Sequence, residues 1–560
     1  MSSQRVLIVG GVAGGASCAA RLRRLDEQAQ IFLFERGNDI SFANCGLPYY
    51  LGEVIRDRQR LVVATPERFR DWLNVEVRIG HEVQRIDRAG RTIEVRNVQT
   101  GTITTEPYDA LVLSPGAMPI RPPLPGIDLD GIFTLRNLED TDRIHAWLAQ
   151  RHPARAVVVG AGYIGLEMAE NLSRRGIEVT LLEAQDQVLP PADPEMTVPL
   201  VAELRRQGVD VQLSNPAAGF EAGPADRMTV LTQNGDRWVV GVVILALGVR
   251  PDARLAREAG LTIGPTGGIQ VDEQMRTSDP AIFAVGDAVE VHDFVTGQPA
   301  VVPLAGPANR QGRIAADAIC GRDAREAHFR GCQATAVVGV FDVTLAMTGA
   351  TEKTLRRLAI PCQKSYTHSL NHAGYYPGAE MITLKLLFAP DTGRLLGAQA
   401  VGKAGVEKRI DILAMAIQKQ ATVYDLEEAE LCYAPQYGSA KDPVNIAGFT
   451  AANVLRGDVE LAHWTDWSQA RAPGQEAPLV LDVRTRADAA SGAVPGTLNI
   501  PLGELRQRLR ELPRDREIWV HCGVGQRSYY ATRILKQNGF RVRNLSGGMR
   551  SYQAMMKDER

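Results

Sequence analysis

The stretch AVVVGAGYIGLEMAENLSRRGIEVTLLE, residues 156 to 183, runs from an apolar strand through three glycines into a helix and then a second strand ending on Glu183. Gly160, Gly162 and Gly165 each have a physical task at that spacing: a tight turn, close approach of the backbone to a ligand, and contact between helix and strand. Successive N–H groups at the helix start suit a pyrophosphate, and a carboxylate closing the next strand suits ribose hydroxyls. A carboxylate there also repels a 2′-phosphate, which favours NADH over NADPH.

Working outward, RVLIVGGVAGGASCAARLRR, residues 5 to 24, repeats the pattern with Gly10 and Gly15 at its outer positions and Val12 in the middle. Glu35 closes the strand IFLFE. Both stretches resemble the dinucleotide fingerprint, and two such units imply two nucleotides, one held while the other exchanges. YDALVLSPGA (Tyr108 to Ala117, with Gly116) and VVILALGVRPD (Val242 to Asp252, with Gly248) look like the strand and turn by which the chain passes between two nucleotide domains. TSDPAIFAVGDAVE then resembles a second flavin motif, in which Asp287 would bond the ribityl chain beside the Gly286 backbone.

The 560 residues exceed one core and suggest three or four domains. A net charge of -2, with 45% hydrophobic and 23% charged residues, gives no whole-chain reason to expect nucleic acid or a membrane as partner. From Leu461 onward 16 Lys and Arg face 10 Asp and Glu, so the tail is weakly basic, which fits anionic small molecules or a plain solvated face. No apolar run reaches membrane-spanning length and the start MSSQRVLIVG enters a strand directly, so a cytoplasmic protein is expected. Seven cysteines without CxxC or metal-ligand spacing, and nine histidines without paired spacing, predict free thiols and no metal.

Cys45 stands alone in SFANCGLPYY, residues 41 to 50, and no cysteine follows until Cys320. With the two fingerprints, this resembles the pyridine nucleotide-disulfide oxidoreductase family, in its single-cysteine branch of coenzyme A-disulfide reductases, NADH oxidases and NADH peroxidases. The resemblance implies FAD, NADH or NADPH, a homodimer, and one sulfur that needs an external partner to complete a disulfide. Ser41 and Asn44 would orient the thiol. Oxidases and peroxidases usually carry a histidine in the first glycine turn, where this chain has Ala13, and a serine before the cysteine, where it has Asn44. NHAGYYPGAEM and ELCYAPQYGSAKDPVNIAGF look instead like the dimerisation domain of coenzyme A-disulfide reductases, whose two tyrosines reach across the dimer to substrate sulfur. Tyr375 and Tyr433 occupy the matching positions. A phenol can protonate a leaving thiolate. Arg21 and Arg24, three apart on the first helix, either meet an anionic coenzyme A tail or line a solvated surface.

Beyond the connector WSQARAPGQEAP a new α/β unit begins, and its loop CGVGQRS resembles the rhodanese active-site loop, with Cys522 as sulfur carrier and Arg527 adding positive charge. Rhodaneses often read GHIPGA upstream, where this chain reads GAVPGT. The expected fold class is α/β, with two Rossmann-like dinucleotide-binding domains for FAD and NAD(P)H, an α+β dimerisation domain and a C-terminal rhodanese-like domain. The expected boundaries are 1–119 and 246–325 for FAD, 120–245 for NAD(P)H, 326–450 for dimerisation, 451–472 for a linker and 473–560 for the rhodanese-like domain. The implied function is reduction of coenzyme A disulfide, coenzyme A persulfide or polysulfide through Cys45, coupled to sulfur transfer on Cys522. Coenzyme A is then a substrate or bound ligand. Two alternatives stay open: an NADH oxidase cycling Cys45 as a sulfenate, and a non-catalytic sulfur-relay or redox-sensing module.

Overall fold

The computed structural model describes residues 4–223, 227–470 and 477–555. These divide into two compact units, one of residues 1–186 and 205–334, the other of 187–204 and 335–560.

The first unit holds two five-stranded parallel sheets. In one, Arg5–Val9 lies between Ala110–Leu113 and Gln30–Glu35, with Ile282–Ala284 and Glu76–Ile79 at the edges. In the other, Arg155–Val159 lies between Val242–Leu245 and Glu178–Leu182, with Ile132–Thr134 and Asp210–Gln212 outermost. Each central strand is apolar throughout its inner positions because helices cover both faces of a parallel sheet. The two passages between these domains pair as a short antiparallel ribbon, Ala117–Pro119 with Val249–Pro251. Asp252 N–H donates to Gly116 O at 2.9 Å and Ile120 N–H donates to Gly248 O at 2.9 Å, so the two turns brace each other.

In the second unit, an antiparallel sheet runs in the order Ala336–Val340, Val343–Gly349, Leu395–Gly402, Met381–Phe388, Gln363–Leu370. The segment 187–204 belongs here although sequence places it inside the expected 120–245 domain. What binds it is a buried cation: Lys385 Nζ lies 2.8 Å from Asp193, 2.6 Å from Glu195 and 2.6 Å from Glu352. The three carboxylates could group around a metal, but an internal ammonium already occupies their centre.

The rhodanese-like sheet is parallel, in the order Leu461–Ala462, Val542–Leu545, Ile518–His521, Leu479–Asp482, Leu498–Asn499. This corrects the expected linker 451–472. The helix Pro443–Leu455 runs past residue 450, and Leu461–Ala462 is an edge strand of the last domain. Trp464 and Trp467 are buried in its core, with Trp464 Nε1 donating to Gly548 O at 2.7 Å. Pro473 and Gly474 of the expected connector lie outside the described residues. No helix among the described residues is long and apolar enough to cross a membrane.

Candidate active sites

The two glycine turns are built as their sequences require. Gly160 takes φ +100°, a Cβ on Gly165 would lie 1.8 Å from Gly160 O, and the space beside Gly162 is open. A side chain is therefore forbidden where helix meets strand and absent where a ligand backbone must approach. Glu183 accepts from Ala161 N–H at 2.7 Å and Gln185 N–H at 2.9 Å. Glu35 repeats this, accepting from Gly11 N–H and Gly37 N–H at 2.9 Å each. A carboxylate has about four acceptor positions, so each glutamate shapes its loop and keeps capacity for ribose hydroxyls. These residues fit an FAD in the first domain and an NADH in the second.

Cys45 sits in the short helical turn Asn44–Gly46, ahead of the helix Leu47–Leu51. Ser41 positions this segment through its backbone: at φ +46° its N–H donates to Gly11 O at 2.8 Å, and its C=O accepts from Val63 N–H at 2.8 Å. The Cys45 loop is thus tied to the first glycine turn. With its amide oriented to satisfy both neighbours, Asn44 donates to Phe42 O at 3.2 Å and accepts from Arg136 Nη1 at 2.7 Å.

Arg136 was not anticipated from sequence, and it connects much of the site. Its Nε donates to Ala117 O at 2.8 Å and its Nη2 lies 3.5 Å from Asp287 Oδ2. A Cβ on Gly116 would come within 2.7 Å of that guanidinium. Asp287 lies in the turn Gly286–Ala288, where Gly286 has φ +83° and donates its N–H to Gln311 Oε1 at 2.7 Å. Burial raises Asp287 above the ordinary carboxylate range, and Arg136 opposes that rise. No motif marks Arg136, since Asn44 and Asp287 stand 92 and 151 residues away and even Ala117 stands 19 away.

Cys45 is exposed as a residue, yet burial of its thiol by the surrounding protein raises it above its ordinary value, with the negative charges of Glu167 and Asp287 adding to the effect. Glu167 also escaped the sequence reading, although a carboxylate two residues after Gly165, in the first turns of the helix Tyr163–Arg174, is a signal. Burial pushes it up to about 7; the hydrogen bond from Tyr49 Oη at 3.3 Å opposes the rise and Glu170 adds to it.

Tyr375 and Tyr433 belong to the other unit and are brought together there, Oη to Oη at 2.8 Å, both exposed. Arg21 and Arg24 do not act as a pair. Arg21 is committed to Asp317, Nε to Oδ1 at 2.9 Å, while Arg24 is exposed. The helix Ala305–Ile319 supplies Asp317, a carboxylate that local spacing does not reveal.

Cys522 is buried at the end of the strand Ile518–His521. Gly525 N–H donates to its Sγ at 3.2 Å and Ser528 Oγ lies 3.5 Å away, so the loop wraps the sulfur as the CGVGQRS spacing predicts. Gly525 needs φ +103° for this. From the helix Gly548–Met555, Met549 N–H grips Cys522 O at 2.7 Å and Arg550 N–H grips Gly523 O at 3.0 Å. Arg527 adds charge at the rim, where both terminal nitrogens bond Asp488 at 3.2 Å.

Comparison with known proteins places the chain. Residues 4–312 match the model described as pyridine nucleotide-disulphide oxidoreductase, 335–442 its dimerisation domain and 466–555 the rhodanese-like domain. The chain belongs to the pyridine nucleotide-disulphide oxidoreductase family. Among relatives, a coenzyme A disulfide reductase of Staphylococcus epidermidis is 37% identical over 447 residues, 80% of this chain and 99% of that protein. The crystal structure of reduced Bacillus anthracis CoADR-RHD covers 100% of this chain and 99% of its own, at 45% identity and TM-score 0.97. An NAD-dependent persulfide reductase from A. fulgidus covers 98% of this chain and 100% of its own, at 37% identity and TM-score 0.89. This oxidoreductase therefore has the FAD- and NAD(H)-binding architecture of its family, with a dimerisation domain and a rhodanese-like domain behind it.

Proposed function

We propose that this oxidoreductase uses NADH to open coenzyme A disulfide, coenzyme A persulfide or polysulfide at Cys45, and that Cys522 carries sulfane sulfur to or from a small thiol. The observation that carries the reading is Cys45 itself: an exposed free cysteine on the turn Asn44–Gly46, tied through Ser41 to the first glycine turn and through Asn44 to Arg136. The named relatives, a coenzyme A disulfide reductase and a persulfide reductase, support the substrate class.

When bound, FAD relays an electron pair from nicotinamide to sulfur. The chain's own residues do the rest. Cys45 thiolate attacks one sulfur of the substrate disulfide, a new S–S bond forms, the old one breaks, and one thiolate leaves. Two electrons and a proton from NADH then cleave the Cys45 adduct, releasing the second thiol and restoring the thiolate. For coenzyme A disulfide the sum is one disulfide, one NADH and one proton giving two thiols and NAD+. For a persulfide, one product is hydrogen sulfide. The Tyr375–Tyr433 pair would donate a proton to the leaving thiolate in a homodimer. Glu183, already an acceptor of two backbone N–H groups, disfavours the 2′-phosphate of NADPH.

Anaerobic stopped-flow of the reduced holoenzyme tests the reading. Coenzyme A persulfide or disulfide should reoxidise the flavin, and Cys45→Ser should lower that rate at least about a thousandfold. Reoxidation by oxygen alone, or a Cys45→Ser enzyme of undiminished rate, sinks it. Cys522→Ser should abolish transfer from sulfane donors, read as loss of a persulfide mass on the C-terminal domain.

A further inference from the structure

Tyr375 and Tyr433 stand on two loops of the dimerisation domain: residues 371–380, between the strands Gln363–Leu370 and Met381–Phe388, and residues 429–442, ahead of the helix Pro443–Leu455. The two residues are 75% and 49% exposed, so packing does not fix their rings, and the loops that carry them do. The first loop closes on itself: Asn371 N–H donates to Glu380 O and Glu380 N–H donates to Asn371 Oδ1, each at 2.8 Å. The second is closed at its start by Asn445, whose Nδ2 donates to Ala429 O at 2.9 Å. Asp442 closes its end and caps the helix, accepting from Val444 N–H at 3.1 Å. The loops also bond to each other, Ala373 N–H donating to Gly438 O at 2.9 Å. At the foot of both lies Arg409, 1% exposed, on the helix Val406–Gln418. Its Nη2 donates to Asn371 O and to Asp442 Oδ2 at 2.7 Å each, its Nε to Asp442 Oδ1 at 3.2 Å and its Nη1 to Gly405 O at 3.1 Å. One planar guanidinium thus fastens the first residue of one tyrosine loop to the last residue of the other.

We propose that Arg409, with Asp442, is a positioning residue for the Tyr375–Tyr433 pair: it sets the separation of the two loops so that one phenol supports the other as that one gives its proton to the leaving thiolate. The inference deepens the proposed function and rests on the tyrosines being the proton donors there. The step balances. The departing thiolate takes a proton from one phenol, giving a neutral thiol and a phenolate; the other phenol donates its O–H to that phenolate, and solvent then returns the proton. A donor aimed at the charged form favours that form, and it does so only at hydrogen-bond length. The two hydroxyl oxygens lie 2.8 Å apart, and a relative loop shift of about 1 Å would part them. A lysine ammonium in place of the guanidinium could meet Asp442 or Asn371 O, but it lacks the rigid fork that holds both.

The test uses the FAD-bound holoenzyme as wild type, Arg409→Lys, Tyr433→Phe and the double variant, in anaerobic stopped-flow half-reactions. Arg409→Lys should slow reoxidation of the reduced flavin by coenzyme A disulfide about tenfold, in the limiting rate rather than in the half-saturating concentration. Flavin reduction by NADH, in which the tyrosines take no part, should keep its rate. In the Tyr433→Phe background the same replacement should change reoxidation by less than about twofold, because groups acting as one unit are not additive. A purely structural role would instead slow both backgrounds alike. An unchanged reoxidation rate in Arg409→Lys, or an equal fold loss with and without the Tyr433 hydroxyl, overturns the inference. Should Arg409→Lys fail to fold, Asp442→Asn, which keeps a helix-capping side chain and loses the charge, is read by the same two criteria. The failure of the proposed function looks different: there the wild-type flavin is not reoxidised by the disulfide, or Cys45→Ser keeps its rate.

Discussion

At the scale of single residues, the environment of Cys45 depends on charges placed by distant elements. Arg136 is the clearest case, touching the residue before Cys45, the turn at Ala117 and the carboxylate expected at the flavin ribityl chain. Replacing it with methionine should leave Asp287 buried without its cation and Asn44 without its donor. The expected outcome is FAD binding weakened about tenfold or more, read as flavin lost on gel filtration and as a fluorescence titration of the stripped protein. The tyrosine pair answers a different question. Tyr433→Phe should slow disulfide reduction while leaving the rate of flavin reduction by NADH intact, in separate stopped-flow half-reactions. Cys45, Cys522, both glycine turns and the tyrosines were all legible in sequence because short motifs carry them. Arg136, Glu167 and the partner of Arg21 were not, because their significance is a contact.

At the scale of elements, the buried Lys385 holds the 187–204 segment to the antiparallel sheet. Burial alone would raise Glu352, but Lys385 and Lys364 outweigh it and hold the carboxyl at about 2. A carboxyl depressed on folding contributes in full above its ordinary value of 4.5, and the contribution is lost as pH falls from there toward about 2. Lys385→Met should therefore cost about 3–5 kcal/mol at neutral pH by urea unfolding, and the gap from wild type should narrow in acid. The sequence misreading at 451–472 belongs to this scale as well. A polar stretch with Pro and Gly resembles a connector, and a two-residue strand, Leu461–Ala462, is too short to show a period. The tryptophans at 464 and 467 were the available signal, since two such side chains close together seldom stand in a linker.

At the scale of the whole molecule, the rhodanese-like domain is pinned to the dimerisation sheet within the second unit. Tyr366 N–H donates to Ser546 Oγ at 3.0 Å, and His368 bonds Ser551 Oγ at 3.1 Å and Thr383 Oγ1 at 2.9 Å. Ser551 lies on the helix whose first turn holds the Cys522 loop, so the sheet, the pin and that loop are continuous. Burial, with Arg550 adding to it, lowers His368 to about 3, so the imidazole is neutral at ordinary pH. A histidine kept neutral on folding contributes in full above 6.5, and the contribution is lost as pH falls below that value toward about 3. His368→Ala should cost about 1–3 kcal/mol at neutral pH, speed amide exchange at 546–551, and flatten the decline of stability below pH 6.5 relative to wild type.

The sequence by itself determined what contiguous backbone geometry determines: two glycine turns with their closing glutamates, a lone cysteine turn, and a sulfur-cradling loop, each fixed by the φ values and N–H directions of a few neighbouring residues. Only the tertiary structure decided that 187–204 joins the second unit, that Leu461–Ala462 completes a sheet, that Arg136 holds Asn44 and Asp287, and that Glu167 and Asp287 bear on the Cys45 thiol. The physical reason is that a buried charge finds its partner wherever packing brings one, and packing joins residues whose separation along the chain carries no record of the contact.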